Sequence, residues 1–325
     1  MRTMAKLGLC LVLAEFGACA SSVRGSSVPA TRETPVPAAI PIPVGARGLV
    51  LPPGGGERFT YCARPLTLWI KLDSLTSPTT QLVAGTGEIR GDEGVARHRG
   101  RDEVVYIRNG WGYAVFGSDT TRVGPGSVIY VPPGTAHRFA SSGPEPLDYF
   151  WVIGPLSSAA GFRTAAAIGC AGAAAEPTPT PIPTPTLTVT DSTRTAVVIP
   201  PTAGERITYC DMPLVITAKV DSENVSGTWL RAATGSLRRG SEAGVHRVDE
   251  VVLITHGRGK AFVGNDTVAV EPGSLTHAPR GMLHGFINES NETLEYFIVY
   301  AESWSRESFR RRAARPGQYC PDVSP

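Results

Sequence analysis

Two sets of three residues in this chain carry side chains suited to metal chemistry. The first is His98, Glu103 and His137; the second is His246, Glu250 and His284. In each set a histidine stands four or five residues before a glutamate. A second histidine then closes the pattern Gly-x5-Pro-x-Gly-x2-His, which runs from Gly126 to His137 and again from Gly273 to His284. Two imidazoles and a carboxylate are ligands for Mn(II), Fe(II), Zn(II), Ni(II) or Cu(II). Three protein ligands leave coordination positions for water or substrate, as catalytic metal sites require. A buried histidine and glutamate can also simply hydrogen-bond each other. Both copies, however, keep the same three residues, which packing alone does not ask for. No Ser/His/Asp triad, phosphate loop or Cys-x-x-Cys accompanies them.

Short strands must position these side chains. Apolar runs are broken by Gly, Pro, Asn and Asp at close spacing, the pattern of an all-β chain. Gly244, His246, Val248 and Glu250 share one face if the segment is extended, because alternate residues on a strand point the same way. His98 and Glu103 are one residue further apart, and a β-bulge at Gly100 would restore the match. The Pro-x-Gly turn before His137 and His284 aims the first residue of the next strand inward. Asn109-Gly110, between Val104–Ile107 and Tyr113–Phe116, reads as a hairpin turn. Helices are expected only at the repeat ends, over 157–167 and 302–314. Many short antiparallel strands without long helices mean a sandwich or a barrel.

The chain repeats itself. Thr60-Tyr61-Cys62 returns as Thr208-Tyr209-Cys210, and Asp102-Glu103-Val104-Val105 as Asp249-Glu250-Val251-Val252. A period this long means two whole domains. They are expected over 49–170 and over 197–325, the second with a C-terminal helix. Between them, 171–196 is a Pro/Thr-rich linker whose alternating prolines favour an extended spacer.

The two patterns resemble the motifs of the cupin superfamily. Gly126 to His137 and Gly273 to His284 are similar to its second motif. His98-x4-Glu103-x6-Gly110 and His246-x3-Glu250-x6-Gly257 are similar to the later part of its first. The resemblance implies a bicupin: two tandem double-stranded β-helix (jelly-roll) barrels. It implies a metal site in each, with ligands His98, Glu103 and His137, then His246, Glu250 and His284. Both copies depart from the family at one place, where Ala96 and Gly244 stand for the first motif histidine, and a small residue there would enlarge the opening at the metal.

The N-terminus reads as a targeting segment. Arg2 and Lys6 precede an apolar run from Leu7 to Leu13, too short to span a bilayer. Gly17-Ala18-Cys19 is similar to the lipobox of bacterial lipoproteins, so 1–19 is expected to be a lipoprotein-type signal peptide with Cys19 lipidated. A Ser/Thr/Pro-rich tether over 20–48 follows. The expected location is the periplasmic side of the cell envelope, on the outer membrane, with the membrane reached through the lipidated N-terminus. Six cysteines agree with export; outside Cys10 and Cys19 they fall two per repeat, and repeat symmetry selects Cys62–Cys170 and Cys210–Cys320 as disulfides. A net charge of +2 with no basic stripe excludes nucleic acid as a partner. The cluster Arg306–Arg315 is expected to be a solvated helix face. His277, aligned with Tyr130, is specific to the second copy, and His256 is expected to face solvent. The function expected is that of an exported, lipid-anchored bicupin with a divalent metal in each barrel, acting on a small oxygenated substrate. The alternative is a non-catalytic module that binds a small molecule or carbohydrate.

Overall fold

A computed structural model describes residues 40–171, 194–302 and 305–314. The expected signal peptide with Cys19, most of the tether, the body of the linker and Cys320 lie outside the described residues. The described chain is almost entirely antiparallel β-structure in two similar halves. In the first half a seven-stranded sheet runs in the order Val197–Ile199, Val128–Val131, Asp102–Asn109, Leu147–Gly154, Val83–Ile89, Leu66–Leu72 and Glu57–Tyr61. A three-stranded sheet, Asp119–Val123, Gly112–Phe116 and His137–Ser141, faces it. The second half repeats the plan with Leu49–Leu51, Leu275–Ala278, Glu250–His256, Leu294–Ala301, Leu230–Leu237, Leu214–Val220 and Glu205–Thr208. Its facing sheet is Gly240–Gly244, His284–Asn288, Gly259–Val263 and Asp266–Val270. Each half is a jelly-roll barrel with its own apolar interior.

The first strand of each half pairs with the other half. Leu49–Leu51 pairs with Leu275–Ala278, and Val197–Ile199 pairs with Val128–Val131. A third apolar core lies where the two large sheets meet. There Tyr106 stacks on Phe297 at 4.6 Å, and Phe150 meets the same ring edge-on at 6.2 Å. Reciprocal polar contacts seal this core. The Gln81 N–H donates to Asp249 at 3.1 Å, and the Trp229 N–H donates to Asp102. The barrels are therefore not self-contained, and neither completes its large sheet alone.

Three local expectations need correction. Asn109-Gly110 is not a hairpin, because Asp102–Asn109 pairs with Val128–Val131 and Leu147–Gly154, whereas Gly112–Phe116 belongs to the facing sheet. The turn is the corner where the chain changes sheets. Gly110 has φ +75°, and a Cβ there would lie 2.1 Å from the Pro146 carbonyl. The extra residue between His98 and Glu103 is taken up by a turn at Arg99-Gly100 rather than by a bulge, with Gly100 at φ +68°. Gly244 to Glu250 is not one extended run either, since the strand Gly240–Gly244 ends and a bend follows before Glu250. The two helices among the described residues are Ala160–Ala171, shifted a few residues later than expected, and Glu307–Ala313, which lies inside the expected 302–314 and is shorter.

Candidate metal centre

Bends that replace the expected strands still bring each set of three residues together. In each copy the backbone carbonyl of the first histidine is tied to the Pro-x-Gly turn. Gly134 N–H donates to His98 O and Gly281 N–H to His246 O, both at 2.8 Å. That bond holds the first histidine beside the second, which begins the next strand in both halves. Glu103 and Glu250 come from the central strands of the large sheets. One ligand atom from each of His98, Glu103 and His137 lies within 4.8 Å of the others, and the same holds for His246, Glu250 and His284.

The atoms converge in a way that suits a cation. The Nδ1 of His137 lies 3.0 Å from the Thr135 carbonyl, and that of His284 lies 2.8 Å from the Met282 carbonyl. A carbonyl only accepts, so Nδ1 carries the proton and Nε2 presents a lone pair. Those Nε2 atoms face carboxylate oxygens, His137 to Glu103 Oε2 at 3.0 Å and His284 to Glu250 Oε2 at 3.3 Å. His98 and His246 approach the same oxygens at 3.5 and 3.0 Å. Both Oε2 atoms are buried without a well-aligned hydrogen bond. Two imidazole nitrogens and a carboxylate oxygen around one buried point are a donor set for a metal. Absent a metal, a proton takes its place. Burial opposes the charged form of His284, but Glu250 and the Met282 carbonyl outweigh it and raise the pKa to about 9. His137 is raised for the same reasons, through Glu103 and the Thr135 carbonyl. Burial likewise opposes ionisation of the two carboxylates, yet the histidines beside them hold Glu103 below, and Glu250 well below, the usual range. For His98, burial prevails and draws the pKa down.

Beside each set sits a second carboxyl, buried at Glu93 and half-buried at Glu242, that no spacing pattern in the sequence singled out. Glu93 accepts from the Phe139 N–H at 2.9 Å and lies 3.4 Å from the Tyr149 hydroxyl. Glu242 accepts from the Tyr296 hydroxyl at 3.0 Å. Glu242 lies opposite Phe286 and Glu93 opposite Phe139, two residues beyond the ligand histidine in both halves. Burial raises Glu93 to about 8 and Glu242 to about 7. The signal available in the sequence was the pairing of each glutamate with a tyrosine at the corresponding place in the repeat. A raised folded-state pKa means that ionisation destabilises the fold as pH rises. For metal-free Glu242→Gln, the unfolding free energy relative to wild type should therefore improve by roughly 1.4 kcal/mol per pH unit from about 4.5 to about 7. Chemical denaturation across that range measures it, and a pH-independent difference would show that Glu242 is ionised throughout.

Each centre opens into a cavity capped by a helix. The first is about 720 Å³ and is lined by His98, Glu103 and His137 together with Trp151, Leu156, Phe162 and Ile168. The second, about 230 Å³, contains His246, Glu250 and His284 with Arg231, Tyr300, Phe309 and Arg312. At Gly244 the expected enlargement is limited, because an added Cβ would meet His246 at 3.2 Å and the Arg312 guanidinium at 3.4 Å. Arg312 donates to the Ala243 carbonyl at 2.6 Å and so reaches into the space a histidine would occupy. The terminal basic cluster is thus more than a solvated face. Arg306 and Arg310 also form ion pairs with Glu205, Asp221 and Glu223. His256 is exposed, 3.0 Å from Glu292. His277 is fully buried, 4.0 Å from Asp249, and burial lowers its pKa to about 4, so it is a neutral core residue where the first half has Tyr130 bonded to Asp102. Cys62 and Cys210 are each disulfide-bonded. The side chains of their expected partners, Cys170 and Cys320, lie outside the described residues.

Comparison with known proteins gives a consistent picture. The cupin domain family matches residues 86–153 and again 237–300. The E. coli protein YlbA is similar in structure, with TM-score 0.59 and 14% identity, covering 82% of this chain and 95% of that one. The formate complex of Lactobacillus farciminis oxalate decarboxylase has TM-score 0.59 at 13% identity, covering 81% and 90%. A putative glyoxylate-induced protein of Pseudomonas aeruginosa has TM-score 0.58 at 13% identity, covering 80% and 91%. In sequence, an uncharacterised protein of Streptomyces coelicolor is 46% identical over 39 residues, which is 12% of this chain and 37% of that protein.

Proposed function

We propose that this chain, which belongs to the cupin superfamily and carries a cupin domain in each half, holds one divalent transition metal in each barrel and uses it on a small oxygenated molecule. The ligands are His98, Glu103 and His137 in the first barrel, and His246, Glu250 and His284 in the second. The observation that carries this reading is the convergence of two imidazole nitrogens on one buried carboxylate oxygen, at 3.0–3.5 Å, twice in one chain. A metal bound there would polarise an oxygen of the substrate. The carbonyls of Thr135 and Met282 fix the histidine tautomers, and the helix caps limit water at each site. Glu93, raised by burial to about 8, and Glu242, raised to about 7, can pass a proton to or from a bound molecule near neutral pH. At 13% identity the oxalate decarboxylase shares the fold, and a fold does not choose among oxygenase, decarboxylase and isomerase chemistry.

The remaining parts of the proposal rest on sequence. The lipobox-like Gly17-Ala18-Cys19 supports export and a lipid anchor, with the domains displayed from the outer membrane on the tether. Repeat symmetry supports Cys62–Cys170 and Cys210–Cys320 as the disulfide pairing. The central test is metal content per chain after mild purification and incubation with Mn(II), Fe(II) or Zn(II). Wild type should hold about two ions, and His98→Ala with His246→Ala close to none, since two remaining ligands bind weakly. Near-zero content in both proteins would overturn the metal reading in favour of a metal-free binding module.

A further inference from the structure

The two cavities part at three wall positions that the register makes equivalent. Val83 opposite Ile153 in the first barrel corresponds to Arg231 opposite Tyr300 in the second, because Ala84 faces Val152 as Ala232 faces Val299, one step along each strand. Trp151, two steps from Ile153 on the same face, corresponds to Ile298. In the second barrel the Arg231 guanidinium lies 4.3 Å from the centres of both the Tyr300 and Phe309 rings, so large side chains fill that wall. In the first, a shorter apolar pair leaves room, and the cavity is about 720 Å³ against about 230 Å³.

The lining of the first cavity is sorted by polarity. Its wall is apolar, with Leu66, Leu68, Phe139, Trp151, Leu156 and Phe162. Apolar side chains continue to the mouth, where Ile168 on the capping helix and Val95 are exposed. Three arginines border the same cavity, Arg64 and Arg97 exposed and Arg101 half-buried. None of the three is in an ion pair among the described residues. The carboxylates that line the cavity are Glu93 and Glu103. The arginines outnumber them even when both are counted as ionised and His98 and His137 as neutral. The excess of positive charge therefore holds with or without a metal.

Trp151 supplies an independent observation. It is only 2% exposed, lines the cavity and packs on Phe162 at 4.9 Å, yet its indole Nε1 has no hydrogen-bond partner. A buried indole N–H ordinarily finds an acceptor. In an apolar wall, an oxygen on a molecule held in the cavity can be that acceptor.

We propose that the first barrel is a site for an amphipathic carboxylate. Its acid group meets Arg64, Arg97 and Arg101 at the mouth, and its apolar body lies inside with an oxygen that accepts from Trp151. A guanidinium is always charged and its planar fork matches a carboxylate. A cavity of about 720 Å³ is of the size that encloses drug-sized molecules, roughly 300–1,000 Å³. The second cavity, at about 230 Å³, is too small for such a body. The proposal goes beyond the metal reading and does not depend on it, because every contact it names is to a side chain outside the two metal sets.

The test is calorimetric titration of the full chain with γ-benzoylbutyrate, with its neutral amide γ-benzoylbutyramide, and with δ-phenylvalerate, which lacks the ketone. Each is run on protein as purified and after chelation, with metal content measured on the same samples. Failure of the metal reading then shows as missing metal and not as missing ligand. One γ-benzoylbutyrate should bind per chain in both forms, at least tenfold more tightly than the amide and severalfold more tightly than δ-phenylvalerate. Arg64→Gln, Arg97→Gln and Arg101→Gln combined should erase the preference for the acid, and lysine at the same three positions should restore part of it. Trp151→Phe should weaken γ-benzoylbutyrate severalfold and leave δ-phenylvalerate little changed, whereas a purely packing role would weaken both alike. Should Trp151→Phe fail to fold, the preference of the wild type for the ketone reads the same contact. No saturable binding, equal affinity for acid and amide, no preference for the ketone, an acid preference that survives the arginine replacements, or binding only when metal is present would overturn the proposal.

Discussion

Replacing Phe297 with alanine should lower the stability of the whole protein by about 3–5 kcal/mol, and both halves should still melt together. Phe297 is fully buried in the core between the large sheets, stacked on Tyr106 and met edge-on by Phe150. Two of its aromatic neighbours therefore come from the other half. Alanine would remove the apolar contact and leave a cavity that rigid sheets on both sides cannot close. Coupling follows from the exchanged strands: Leu49–Leu51 completes the second large sheet and Val197–Ile199 the first. Unfolding one barrel strips an edge strand from the other and exposes Asp102 or Asp249, each bonded across the junction. Calorimetry should show one transition in wild type and variant alike, shifted down in the variant. Two transitions, with only one displaced, would mean that the halves are independent domains.

The exchange was not legible in the sequence, and the reason is physical. Leu49–Leu51 and Val197–Ile199 are three-residue apolar segments, and nothing local tells such a segment which sheet edge it will complete. Asn109-Gly110 misled for a related reason. A positive-φ glycine serves a hairpin and a corner between sheets equally well, and only the distant Pro146 carbonyl distinguishes them. The residues of the candidate metal centre were legible because each lies in a repeated pattern. Their convergence, however, depends on the bends before Glu103 and Glu250 and on the carbonyl tether to the Pro-x-Gly turn, not on strand parity. Glu93 and Glu242 escaped notice because their spacing to the next histidine differs, five residues in one copy and four in the other. Arg231 escaped because its meaning lies in a contrast with Val83, and that contrast emerges only once the register is known.

The affinity of the second barrel for a divalent metal should rise about tenfold from pH 7 to pH 8 and about 50-fold from pH 7 to pH 9, the slope flattening as the pKa is reached. In the metal-free protein, burial opposes the His284 imidazolium, but Glu250 and the Met282 carbonyl more than offset it and bring the pKa to about 9. A metal must take the Nε2 lone pair that this proton occupies. Below that pKa every ion bound releases one proton, and the penalty grows with proton concentration. Glu250 adds no slope, because its carboxyl stays ionised over the whole range. Stability follows the same linkage. A histidine raised above its unfolded pKa of ~6.5 stabilises the metal-free fold below that value, and this contribution is lost as pH rises through about 9. Metal and proton therefore hand over the same position, with the metal favoured where the proton lets go. Competition against a chromophoric chelator with Mn(II), in a His98→Ala background that disables the first centre, isolates the second. A slope near one in log affinity against pH between pH 7 and pH 8, falling towards one half at pH 9, is the expected result. A flat profile from pH 7 to pH 9 would mean that His284 is already neutral in the metal-free protein, and that the short contact to Glu250 is not held by a proton.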